Sequence, residues 1–115
     1  MKRRIYIDTS VLGGCEDDEF RDPSLSLMAD FLRGDSVLVL SELTVRELED
    51  APAPVRDVLR DVPEKYIETV ALTLDAEELA DAYVREGVVG EKMRLDALHV
   101  ALATIARVDV LVSWN

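Results

Sequence analysis

The chain has 115 residues, 49% of them hydrophobic and 32% charged. That is enough for one domain with a core, and it excludes both a two-domain protein and a disordered one. A formal charge of −11 argues against nucleic-acid binding by simple phosphate neutralisation, which needs a basic surface. It leaves open a solubility surface, a basic partner or a site that gathers cations.

No run of about 18 apolar residues is present, so no membrane span is expected. A single cysteine, Cys15, excludes an internal disulfide and suits a reducing cytoplasm. The basic start, Lys2-Arg3-Arg4, is followed by only three apolar residues, too few for a signal-peptide core.

Ile5 to Ile7 reads as a first buried strand. Gly13-Gly14 and the acids Glu16, Asp17, Asp18 and Glu19 read as a solvated loop. No Lys-Ser/Thr pair follows the glycines, so they are not a phosphate loop. Asp22-Pro23-Ser24 starts a helix whose Leu27, Met28, Phe31 and Leu32 fall at helical spacing, and Gly34 closes it. "SVLVLS" (36–41) is a continuous apolar run and predicts a buried strand.

Helices follow at 41–51 and at 53–63, with Pro54 in the first turn of the second. "YIETVALT" (66–73) predicts a strand. A helix over 74–87 has a capping box at Asp75 and Glu78 and a closing Gly87. A long helix over 94–108 and a strand over 109–115 complete the chain. Strands alternate with helices, and most strands are unbroken apolar runs. That pattern belongs to a parallel sheet covered by helices on both faces.

In such sheets, sites form beyond the carboxyl ends of the strands. Asp8 follows the first strand, and Ser41 and the helix carrying Glu47 follow the second. Asp96 opens the helix that leads to the last strand, which ends in Ser113 and Asn115. Carboxylates brought together in a low dielectric either protonate or bind cations. All-oxygen clusters suit Mg²⁺ or Mn²⁺. Two such ions about 4 Å apart can activate water and stabilise the leaving oxygen of a phosphodiester.

Each residue also has a plainer reading. Asp8, with Thr9 and Ser10, fits a helix N-cap. Glu47 completes a Thr44-to-Glu47 capping-box pattern. Asp96 suits the dipole at a helix start. His99 shares a helix face with Asp96 and reads either as a partner of a carboxylate or as a half-buried histidine satisfied by backbone. Cys15 lacks a histidine or basic neighbour and reads as inert. Trp114 reads as packing.

The ordered segments "YIDTSVLGG", "SELTVRELEDAP", "DALHVALAT" and "DVLVSWN" resemble the motifs of PIN-domain ribonucleases, and the chain resembles a VapC-type toxin of a toxin–antitoxin pair. The resemblance spans essentially the whole chain. It implies a PIN-like α/β/α sandwich with a central parallel sheet, strand order 3-2-1-4, and Mg²⁺- or Mn²⁺-dependent cleavage of RNA. By motif, Asp8, Glu47 and Asp96 match the acidic ligands. Thr9, Ser10, Ser113 and Asn115 match the polar groups that orient them, a role His99 can share.

The resemblance also implies a cytoplasmic protein with a cognate antitoxin and a homodimer. Many such domains carry a fourth acid after the final amide and continue into another strand or helix. The sequence stops at Asn115, so one domain over 1–115 without that tail is expected, with a second cation held more weakly. Lys2, Arg3, Arg4, Arg46 and Arg94 are the expected phosphate contacts. The competing readings are a PIN-like module that binds an antitoxin or dimerises without turnover, through apolar helices around 24–32 and 53–62, and a generic α/β domain with three unrelated helix caps.

Overall fold

The computed structural model describes residues 2–87, 90 and 93–114. Four strands, β1 (Arg3–Ile7), β2 (Ser36–Ser41), β3 (Ile67–Val70) and β4 (Val110–Val112), form one parallel sheet in the order β3-β2-β1-β4. This is the expected order. The helices are α1 (Thr9–Gly14), α2 (Arg21–Arg33), α3 (Glu42–Glu49), α4 (Ala53–Asp57), α5 (Leu74–Arg85) and α6 (Arg94–Ile105). No described helix is long and apolar enough to cross a membrane.

Successive side chains of a strand point to opposite faces, so the sheet feeds two cores. Ile5, Ile7, Leu38 and Leu40 join Val11, Leu12, Met28, Phe31 and Leu48 on one face. Tyr6 and Val39 join Leu43 and the inner sides of α5 and α6 on the other. There Ala76, Ala80, Ala97 and Ala101 are fully buried. Their small side chains let the two helices lie close to the sheet and to each other.

Several boundaries differ from the sequence expectation for physical reasons. Gly13 and Gly14 end α1 rather than forming a loop. Gly14 lies so close to Ser24 and Trp114 that a Cβ there would collide with both. The exposed acids 16–19 do form the solvated turn that follows. The expected helix over 53–63 stops at Asp57. Pro63 disfavours helix at Val62, yet Val55, Val58, Leu59 and Val62 still pack on the first core.

The α5 cap is Thr73, whose hydroxyl accepts from the Ala76 N–H at 3.2 Å, and not Asp75. This also shortens the preceding strand from 66–73 to 67–70. Helix α6 ends at Ile105, because Arg107 turns to φ +55°, a left-handed residue that stops a helix. In the last expected strand only Val110–Val112 pair, and Ser113 and Trp114 leave the ladder for side-chain partners.

Candidate functional site

Strands β1 and β2 run in the same direction, so Asp8 and Ser41 emerge at the same end of the sheet. Asp8 is 4% exposed and is the N-cap of α1: its Oδ1 accepts from the Ser10 N–H at 3.0 Å. The same oxygen accepts from the Ser10 hydroxyl, and Oδ2 accepts from Ser113 Oγ at 2.5 Å. The Trp114 N–H in turn donates to Ser10 Oγ at 2.9 Å. The tail of β4 is thereby tied to the start of α1, and Asp8 is both cap and cleft residue.

Glu47 sits on the last turn of α3, whose N-cap is Ser41, its hydroxyl accepting from the Thr44 N–H at 3.1 Å. Thr44 is therefore inside the helix, and the reading of Glu47 as the partner of a Thr44 cap is overturned. Glu47 Oε1 instead accepts from Thr9 Oγ1 at 2.8 Å and meets His99 Nε2 at 2.9 Å. His99 is 4% exposed. It is satisfied by side chains and not by backbone, since its Nδ1 lies 2.6 Å from the Tyr6 hydroxyl. Asp96 is half-buried in the first turn of α6 and makes no side-chain hydrogen bond or ion pair among the described residues.

Asp8, Thr9, Ser10, Glu47, Asp96 and His99 together line one cleft of about 50 Å³. A neighbouring cleft of about 160 Å³ shares Asp8, Asp96 and His99 and adds Ser113 and the apolar walls of Val100 and Leu111. The three acids are therefore neighbours on one wall system, from separate elements. Among the described residues, however, no three ligating groups are gathered tightly enough to hold one ion. The donor set is all oxygen and anionic, which suits a hard divalent cation. Asn115 lies outside the described residues.

The basic residues distribute differently from expectation. Lys2, Arg3 and Arg4 stand at the amino end of β1, the opposite end of the strand from Asp8. Arg4 is bound to Glu68 and to the carbonyls of Ala106 and Arg107. Lys2 lies over the Tyr66 ring. Arg94 pairs with Asp81 at 2.8 Å. Arg46 is exposed, follows Val45 and precedes Glu47 on α3, and makes no ion pair among the described residues.

Trp114 stacks on Phe20 with ring centroids 5.6 Å apart and donates to Ser24 Oγ at 2.9 Å, so it is a packing residue. Cys15 is buried, and burial pushes its thiol up, as expected of an inert cysteine.

The sequence reads Tyr6 only as part of a buried strand, Ser41 only as a polar residue at a strand end and Thr44 only as a helix cap. All three are fully buried behind the site. The Tyr6 hydroxyl lies 2.8 Å from Ser41 Oγ, and Thr44 Oγ1 reaches the Ile7 carbonyl at 3.4 Å. The available signal was a tyrosine inside an apolar strand, two residues before the acid. Burial raises the Tyr6 phenol from its usual 10.0 to about 12, opposed by hydrogen bonds from Ser41 and Thr44.

The folded state thus keeps a proton that the unfolded chain releases above pH 10. This stabilisation is complete below pH 10 and is lost as pH rises toward 12. The stability difference between the native chain and Tyr6→Phe, from urea unfolding, should fall with pH in that window. A shift of this size corresponds to on the order of 3 kcal/mol in total. A difference that stays flat from pH 10 to 12 contradicts this.

No protein-family model and no curated protein matches the sequence. Among solved structures, the chain is similar to Mycobacterium tuberculosis VapC20, a sarcin-ricin loop cleaving toxin, with a TM-score of 0.66 and 16% identity over 96% of this chain and 89% of that one. It is also similar to VapBC2 from Rickettsia felis, solved bound to a DNA fragment from its promoter, with a TM-score of 0.55 and 13% identity over 97% and 99% of the two chains. At these identities the likeness is one of architecture, and the parallel β3-β2-β1-β4 sheet between two helical layers is a VapC-type PIN fold.

Proposed function

We propose that the protein is a divalent-cation-dependent endoribonuclease toxin of a toxin–antitoxin pair, acting in the cytoplasm. The supporting observation is that Asp8, Glu47 and Asp96 line one cleft at the carboxyl ends of the strands, in a fold shared with an RNA-cleaving toxin. Asp8, Glu47 and Asp96 would hold Mg²⁺ or Mn²⁺, which supplies charge to offset the phosphate and lowers the pKa of a water.

The chain's own groups do the positioning. Ser10 and Ser113 fix the two oxygens of Asp8, and Thr9 and His99 fix one oxygen of Glu47. Asn115 is assigned to the same orienting set from its motif. Arg46 offers a local positive charge to the RNA backbone despite the net charge of −11. Hydrolysis by water leaves a 5′-phosphate and a 3′-hydroxyl.

Purified protein incubated with structured RNA should cut it in Mg²⁺ or Mn²⁺, and excess EDTA should stop cleavage completely. Cleavage that persists in EDTA rules the proposal out.

A second reading is favoured by one observation: no three ligands are gathered tightly among the described residues. In that reading the domain binds an antitoxin or a second copy without turnover. Leu25 and Leu32 on α2, 48% and 43% exposed, are the apolar residues that such a partner would cover. A stable antitoxin complex formed by protein that cuts no RNA in either cation supports this reading over the first.

A further inference from the structure

Both partners of the Glu47 carboxylate converge on one atom. Thr9 Oγ1 and His99 Nε2 reach Oε1 at 2.8 and 2.9 Å, and Oε2 takes no hydrogen bond among the described residues. A carboxylate held by one oxygen is fixed in rotation and keeps the other oxygen uncommitted. An ionised carboxylate only accepts, so His99 Nε2 must carry the hydrogen. In a neutral imidazole Nδ1 is then an acceptor, and the group facing it at 2.6 Å is the Tyr6 hydroxyl.

Tyr6 is itself held by Ser41 Oγ at 2.8 Å, and Ser41 contacts Thr44 Oγ1 at 3.3 Å and accepts from the Thr44 N–H. The Tyr6 hydroxyl donates to Ser41 Oγ in the described geometry, and because hydroxyl hydrogens rotate to suit their neighbours its hydrogen can turn instead to Nδ1. The chain of contacts starts in the sealed second core and ends at the cleft. Tyr6, Ser41 and Thr44 are 0% exposed, and no buried side-chain polar atom among the described residues lacks a partner.

We infer that Tyr6 is a positioning residue of the cation site: its hydroxyl, acting through His99, holds Glu47 by Oε1 and leaves Oε2 available to a divalent cation. The role rests on the assignment of Glu47 as a ligand in the proposed function. Removing such an outer partner of a ligand typically weakens metal affinity by about 10–100-fold.

The test is Mn²⁺ binding to the purified full chain, followed by electron paramagnetic resonance, with no RNA present. Tyr6→Phe should weaken Mn²⁺ by about 10–100-fold, and raising Mn²⁺ should restore any cleavage rate. Val39→Ala removes volume from the same core without touching the chain of hydroxyls. It should lower thermal stability and leave Mn²⁺ affinity unchanged, which separates positioning from general loosening.

Because Tyr6 acts through His99, adding Tyr6→Phe to His99→Leu should weaken Mn²⁺ no further. His99→Gln, which keeps an N–H donor, should recover part of what His99→Leu loses. Native affinity in Tyr6→Phe, or a full additional loss in the His99→Leu background, overturns the inference. Protein that binds Mn²⁺ with this mutational pattern and cuts no RNA refutes the ribonuclease and leaves the positioning role standing. Protein that binds no Mn²⁺ refutes both.

Discussion

Under the proposed function, Asp8→Asn should lower Mg²⁺- or Mn²⁺-dependent RNA cleavage by about 10³-fold or more and leave the fold in place. The two halves of this expectation have separate physical sources. A hard cation is held by negative oxygen, and a ligated divalent ion contributes several kcal/mol of transition-state stabilisation. Each loss of about 1.4 kcal/mol is tenfold in rate. Asparagine has the carboxylate's shape without its charge.

The structural duties of Asp8 survive the change. The Asn oxygen can still accept from the Ser10 N–H and hydroxyl, as Oδ1 does now. The new amide can donate to Ser113 Oγ, whose hydroxyl rotates to accept. Asparagine is also as good an N-cap as aspartate. Cleavage assays in Mg²⁺ and Mn²⁺, beside thermal unfolding of both proteins, check the two halves together. Native cleavage by Asp8→Asn means that the cleft is not the catalytic site. A collapsed melting temperature means that Asp8 acts mainly as a cap, and Asp96→Asn then carries the test. Asp96 has no side-chain hydrogen bond to lose among the described residues.

The sheet was readable because its strands announce themselves. "SVLVLS" is apolar throughout and becomes β2 with Leu38 and Val39 fully buried. The direction of each strand then placed Asp8, Glu47 and Asp96 at one end. The same logic, followed for Lys2, Arg3 and Arg4, puts them at the other end, away from the cleft. A local choice between cap and ligand was the wrong form of question for Asp8. One oxygen can cap α1 while the residue lines the cleft.

What the sequence could not disclose were contacts between residues far apart in the chain. Tyr6, Ser41 and His99 come together across 35 and 93 positions, through the β1–β2 register and the packing of α6. Each of them alone reads as an ordinary strand, cap or helix residue. Ends of elements were hidden for a similar reason. Thr73 won the α5 cap from Asp75 by two residues, a difference below the reach of composition.

Gly34→Ala should destabilise the protein by roughly 2–4 kcal/mol, far more than an exposed surface change. Gly34 ends α2 with φ +76°, and its N–H reaches the carbonyls of Asp30 and Phe31. A side chain in this left-handed conformation costs about 1 kcal/mol. The second cost is steric. A Cβ on Gly34 would stand 2.5 Å from Tyr66 Cζ and 2.8 Å from both neighbouring ring carbons. Overpacking of this kind adds about 1–3 kcal/mol.

The ring has little freedom to retreat. Tyr66 packs on the first core, and the ammonium groups of Lys2 and Lys65 lie 4.7 and 5.1 Å from its centroid. Urea unfolding of the single variants and of Gly34→Ala combined with Tyr66→Ala separates the two costs. With the ring gone, the alanine should cost only its backbone strain, about 1 kcal/mol relative to Tyr66→Ala alone. An equal penalty in both backgrounds places the whole effect in the left-handed turn. A penalty below about 1 kcal/mol in the native background means that the turn itself gives way.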